Sequence, residues 1–165
     1  MAIRDALIPE YEMELKNTRK MLERVPLENA EWKPHSKSMN LGRLALHIAE
    51  IPNWMTVTIT TDELDFAKGY TKNKADTHDE LLKLFDDYSA QAMEALKNAT
   101  DETMLSNWTM RNGDHIYFTM PKVVVVRNFA MNHLYHHRAQ LSVYLRLLDV
   151  PIPGMYGPSA DEGRM

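Results

Sequence analysis

The stretch Pro121-Lys122-Val123-Val124-Val125-Val126-Arg127-Asn128-Phe129-Ala130-Met131-Asn132-His133-Leu134-Tyr135-His136-His137-Arg138 runs on to Leu148 without a helix breaker. Val126, Ala130, Leu134, His137, Leu141, Leu145 and Leu148 recur three or four residues apart, the spacing of one helix face. Pro121 suits a first turn, where its missing N–H is not needed. The β-branched run Val123 to Val126 continues that stripe in phase, which predicts helix rather than strand. Pro151 and Pro153 end the helix.

Three more stretches carry the same period. Leu7, Tyr11, Leu15, Thr18, Leu22 and Val25 predict a helix over Asp5–Val25, starting close to Pro9. Leu41, Leu44, Ile48, Ile51 and Met55 predict one from Asn40 to about Met55, with Ser38 or Asn40 as cap and Pro52 kinking or ending it. Leu81, Phe85, Tyr88, Ala92 and Ala95 predict one from Thr77 to about Ala99, opened by the capping box Thr77/Glu80. Between Ser106 and Phe118, Arg111-Asn112-Gly113-Asp114 separates two short β-prone runs and predicts a hairpin. Two strands alone are marginal, so the hairpin must pack on the helices. The expected fold is all-α, a four-helix bundle with a short β-hairpin between the third and fourth main helices. One domain spans residues 1–165 and ends in a turn-rich tail over 151–165.

Composition narrows the function. The chain has 165 residues, with 19 Lys plus Arg against 23 Asp plus Glu, a net charge of -4. That balance gives no general attraction for phosphate backbones, so nucleic acid is not the expected partner. Trp32, Trp54 and Trp108 are read as packing residues and the 12 methionines as core filler. There is no cysteine, which removes a thiolate nucleophile, a thiolate-held metal and any disulfide. Met1 to Glu14 is charged throughout, with no apolar run of signal-peptide length. No stretch reaches the roughly 18 apolar residues of a membrane span. The expectation is a cytoplasmic protein with no membrane contact, and the glycosylation patterns at Asn98 and Asn107 are taken as chance. His-Glu-x-x-His, a glycine-rich phosphate loop and a Gly-x-Ser-x-Gly elbow are all absent.

Seven histidines remain. His133 and His137 lie four apart, so a helix presents both imidazoles to one point. His136 is about 100° round the helix from His137 and cannot share that point. His47 lies in the apolar run Leu44-Ala45-Leu46-His47-Ile48, where its ring nitrogens need a partner. A metal bound by His47, His133 and His137 answers that need if the second and fourth helices face each other. The competing reading makes the three histidines ordinary core residues, and chelators would then change nothing. Arg43, His47, Glu50 and Trp54, spaced four, three and four, share a helix face that suits a pocket. His35, His78 and His115 are read as surface residues. Asp86-Asp87 and Asp161-Glu162 are read as solvated charge, the second pair in a tail that can fold back.

Four segments carry a resemblance. They are Glu31-Trp32-Lys33-Pro34, Leu44 to Trp54, His133 to Arg146, and Pro151 to Glu162. In that order the chain resembles the DinB/YfiT-like family, the damage-inducible helical bundles. The resemblance implies a four-helix bundle, often a homodimer, holding a divalent metal, commonly zinc or nickel, on three histidines. Those positions match His47, His133 and His137. Relatives include transferases and isomerases that use mycothiol, bacillithiol or glutathione.

Three neutral imidazoles leave a metal an open position, the pattern of catalytic rather than structural sites. Such a metal can lower the pKa of bound water to about 7 or hold an external thiol as thiolate. The expected function is attack by water or a low-molecular-weight thiol on a small-molecule electrophile, in hydrolase or thiol S-transferase chemistry. Glu50 is the candidate catalytic group, and Arg43 and Trp54 are candidates to bind substrate. The alternative is a non-catalytic metal-binding module of a stress response.

Overall fold

The computed structural model describes residues 1–69 and 72–163. The last two positions of the expected tail lie outside the described residues. Four long helical units form a bundle. They are α1 (Ile3–Leu22), the pair α2 (Leu41–Glu50) and α3 (Pro52–Thr60), α4 (His78–Asn98), and a last unit that ends in α7 (His133–Leu147). Helix α4 packs on α1 and on α2 and α3, while α7 packs on α1 and α2. Every residue of the first two stripes is buried, and Leu81, Phe85, Ala92, Val126, Ala130, Leu134, Leu141 and Leu145 join them in the core. The apolar period in the sequence is therefore the bundle's interior.

Local chemistry sets the ends. Asn40 Oδ1 accepts from the Arg43 N–H at 2.8 Å and caps α2. Thr77 and Glu80 close the expected capping box on α4. Helix α1 starts at Ile3, well before Pro9, so the expectation that Pro9 marks its start is corrected. Pro9 is exposed, and water can serve the one carbonyl that loses its donor. The start of α1 is tied down instead by the Ile3 N–H to Asp101 Oδ1, 2.8 Å, and Arg4 Nη1 to the Ala99 carbonyl, 2.9 Å. Pro52 does more than kink the second helix. The chain breaks at Ile51 and restarts as α3, which continues to Thr60. At the far end, Asp149 takes a left-handed φ of 56°. Val150 and Asp149 donate to the Leu145 and Arg146 carbonyls, closing α7 in a Schellman motif.

The hairpin is present and larger than expected. Strands β2 (Asn107–Asn112) and β3 (His115–Pro121) pair antiparallel around Gly113, whose φ of +58° a side chain would resist. A third strand, β1 (Glu63–Asp65), pairs parallel to β2, with Leu64 opposite Met110. Three residues are too short to show a period. A short helix, α5 (Asp101–Leu105), precedes the sheet. Trp108, Met110 and Val125 form a small second core, against which Trp54, Val57, Leu64, Phe118 and Phe129 pack. None of the described helices is long and apolar enough to cross a membrane.

The last helical unit corrects the expectation of one continuous α-helix. Pro121 is the final residue of β3, not a helical residue. Helix α6 (Lys122–Val125) gives way to a π-helical stretch, Val126–Asn132, before α7 begins. Val126, Ala130 and Leu134 are spaced by four. That spacing lies between the α-helical period of about 3.6 and the longer period of i→i+5 bonding, so the stripe could not separate the two.

Candidate metal centre

The three histidines meet. His47 stands on α2, and His133 and His137 stand on the first turns of α7, the helix packed against it. The His47 and His133 Nε2 atoms are 3.1 Å apart. Ring centroids are separated by 4.9 Å for His47–His133, 4.6 Å for His47–His137 and 4.6 Å for His133–His137. One nitrogen from each ring lies within 4.8 Å of the others. The π stretch delivers His133 to this point. The His133 N–H bonds to the Asn128 carbonyl, five residues back, so α7 starts later in phase than an α-helix from Lys122 would.

Electrostatics keep the rings neutral. Burial pushes His47 down to about 4, helped by His137, His133 and the Arg43 guanidinium. Burial also lowers His133, with His137 adding to it. The Phe129 carbonyl opposes that shift without reaching hydrogen-bond geometry, and among the described residues the buried His133 Nδ1 has no bonded partner. Burial lowers His137 as well, against the pull of the Gln140 carboxamide. His137 Nδ1 donates to Gln140 Oε1 at 2.8 Å, which leaves Nε2 with its lone pair facing the other rings. Gln140 Nε2 in turn lies 3.0 Å from His136 Nε2. His136 therefore serves behind the site rather than in it, as its helical phase predicts.

The donor set fits a divalent ion. Two ring nitrogens 3.1 Å apart share either a proton or a cation between them. Two nitrogens held at about 2.0–2.1 Å by one tetrahedral zinc stand about 3.4 Å apart, close to that separation. Nitrogen-only donors suit zinc or nickel, whereas magnesium and calcium prefer oxygen.

A cavity of 410 Å³ opens beside His47. Glu50, Asn53, Asn73 and Tyr88 line its polar side, and Trp54, Val57, Leu64 and Phe66 its apolar side. Glu50 Oε2 accepts from Arg43 Nη1 at 2.9 Å and Oε1 from Asn73 Nδ2 at 3.1 Å. The Tyr88 hydroxyl donates to Asn73 Oδ1 at 3.3 Å. Glu50 and Trp54 thus stand where their helical phase put them, in the cavity wall. Arg43 is not a lining residue and reaches the cavity through Glu50. Asn53, Asn73 and Tyr88, and the apolar residues Val57, Leu64 and Phe66 beside Trp54, carry no such signal in the sequence. Tyr88 was read as core, and Asn73 arrives on a loop with no periodic signal. The structure also qualifies one surface assignment. His78 Nε2 lies 3.1 Å from the Leu22 carbonyl, whereas Asp86, paired with Arg19 at 2.9 Å, keeps a solvated side chain.

Comparison with known proteins places this arrangement. The DinB family profile matches residues 6–164. The chain belongs to the DinB family. Within the DinB proteins it is 25% identical over 162 residues to the uncharacterised protein YrdA of Bacillus subtilis strain 168, covering 96% of this chain and 90% of that one. Crystal structures of two DinB-like proteins share the fold. One is from Bacillus cereus ATCC 10987, with a TM-score of 0.72, 24% identity, and 94% and 98% of the two chains covered. The other is YjoA from Bacillus subtilis, with a TM-score of 0.70, 18% identity, and coverage of 97% and 99%. The helical bundle with its small sheet is thus a DinB fold.

Proposed function

We propose that His47, His133 and His137 hold a divalent metal, zinc or nickel, and that the protein is an enzyme that acts on a small electrophile in the adjoining cavity. The observation that supports this reading is the convergence of three imidazoles from two helices, one of which, His47, lines a 410 Å³ cavity. A metal with three imidazole ligands keeps an open position and lowers the pKa of a bound water or external thiol. The chain has no cysteine, so any thiol must come from a separate low-molecular-weight cosubstrate.

The remaining tasks fall to residues of the chain. Gln140 fixes the His137 tautomer. Arg43 and Asn73 orient the Glu50 carboxylate beside His47. Each Glu50 oxygen keeps a second lone pair, and there the carboxylate takes the proton released by the nucleophile. Trp54, Val57, Leu64 and Phe66 exclude water and seat the apolar part of the substrate.

The test is elemental analysis of untagged protein purified without chelator, beside His47→Ala and His137→Ala. About one ion per chain in the wild type, lost in both variants, is expected. Wild type that stays metal-free after zinc or nickel is added would overturn the site. With metal established, water- and thiol-dependent reactions are screened, and Glu50→Gln should abolish turnover while keeping metal and melting temperature. Metal that stabilises the fold, with no turnover in either screen, would replace the enzyme by a binding module.

A further inference from the structure

The cavity has a chemical preference that its walls define, and the argument rests on the function proposed above. One side is aromatic and branched aliphatic, and it is held in place from behind. Trp54 packs on buried Trp108 at 6.5 Å and on Phe129 at 5.9 Å, ring centroid to ring centroid, while Phe129 stacks on Phe118 at 4.9 Å. A wall fixed by a second core is preformed and suits a flat apolar body. The other side is polar but already engaged. Arg43, Glu50, Asn73 and Tyr88 bond to one another in a chain, so the Glu50 charge is answered before any ligand arrives. No lysine or arginine is among the lining residues. Among the described lining residues, a phosphate, sulfonate or carboxylate entering the cavity away from the histidines therefore finds no uncommitted cation, because the nearby Arg43 guanidinium is already bonded to Glu50, and it loses its hydration with little return.

Asn53 differs from the other polar residues. It lines the cavity next to Trp54, and among the described residues its carboxamide makes no hydrogen bond. A carboxamide offers a donor group and an acceptor in a plane: its N–H meets an amide or ester carbonyl, and its oxygen also meets the N–H of an amide. From this we infer that the substrate is an uncharged carbonyl compound, an amide or ester with a flat aromatic or branched aliphatic body. Its body lies against Trp54, Val57, Leu64 and Phe66, and its carbonyl group is read by Asn53. Asn53 is then the specificity-determining residue of the site.

Matched probes test this on the full chain. Binding of 1-naphthaleneacetamide, 1-naphthaleneacetate and 1-methylnaphthalene is measured by calorimetry on chelator-treated protein, where no ion can capture the acetate. It is then repeated after zinc loading, with metal content read on the same samples. On the chelated protein the amide should bind at least about ten-fold tighter than the acetate. Asn53→Ala should weaken the amide about three- to ten-fold, the loss of one hydrogen bond, and leave the hydrocarbon unchanged. Asn53 is partly exposed and unbonded, so this variant keeps the fold. Trp54→Ala should weaken all three probes. Acetate binding as tightly as amide, equal losses for amide and hydrocarbon in Asn53→Ala, or no binding of any probe would each overturn the inference. Selective amide binding without zinc uptake would sink the metal reading alone. Zinc uptake without amide preference would sink the substrate class alone.

Discussion

Two arginine–glutamate pairs, one joining α1 to α7 and one within α2, do different work. Arg138 and Glu14 meet at 2.6 Å with side chains only 5% exposed each. Arg43 and Glu50 meet at 2.9 Å with side chains 50% and 23% exposed. In the first pair both terminal nitrogens of the guanidinium are engaged. Arg138 Nη1 donates to the Glu14 carbonyl and to Thr18 Oγ1, both at 3.1 Å, and Nη2 donates to the Tyr156 hydroxyl at 2.6 Å. That hydroxyl bonds back to Glu14 at 2.8 Å. Charge buried this deeply is safe only while each partner is present. The second pair is wet on one side, and its glutamate faces a cavity. The contrast teaches that one pair fastens α1, α7 and the C-terminal tail together, whereas the other orients a reactive group.

The largest effect should come from breaking the buried pair. Arg138→Met leaves Glu14 charged without a partner and should cost about 3–5 kcal/mol in chemical unfolding. Adding Glu14→Leu should recover most of that loss, the sign of an uncompensated charge rather than lost packing. Next, Tyr156→Phe keeps the ring but removes the hydroxyl shared by both charges, and about 1–2 kcal/mol should go. The exposed pair sharpens the contrast from the other side. Arg43→Ala should change stability by no more than about 1 kcal/mol, because water screens half of that guanidinium. Its effect should appear in turnover instead. A loss from Arg43→Ala as large as that from Arg138→Met would erase the distinction.

A third pair gives the smallest effect and a pH test. Arg146 and the Ile152 N–H hold Asp161 well below its ordinary 3.8, at about 2. A depressed carboxyl pKa stabilises the fold above the ordinary value and loses that contribution as pH falls through the folded one. Wild type should therefore be more stable than Asp161→Asn at pH 6, and the two should converge between pH 4 and 2. Melting curves across that range decide it. A gap that persists at pH 2 would show that the tail is held by something other than this charge.

The comparison also shows what a sequence can reveal. The helices were legible because burial leaves a periodic trace, and Leu41, Leu44, Ile48, Ile51 and Met55 are all fully buried. The histidine trio was legible because two lie one turn apart and the third interrupts an apolar face. Glu50 and Trp54 followed from phase alone. Arg138 and Glu14 left no such trace. They are 124 residues apart, and a lone charged residue on a helix reads as surface. Asn73 and β1 were invisible for the same reason, since tertiary packing brings them to the site. The tail was partly legible. Asp161 and Glu162 do fold back, and Gly154 makes this possible, because a side chain there would collide with the Gly157 carbonyl and with Glu162.

The wide turn at Val126–Asn132 acts as a slip joint between two clients with different phase. Upstream, Val125 must face Trp108 and the sheet, and downstream, His133 and His137 must face His47. A uniform screw cannot satisfy both, and the longer loop of chain absorbs the mismatch. Substitutions at exposed Arg127 or Asn128 should be tolerated there, whereas loss of a single residue would turn one client away from its partner. Any gapless alignment that carries a strictly α-helical relative through this segment will therefore misassign one half of the helix. The histidine half is the one whose misplacement would hide the site.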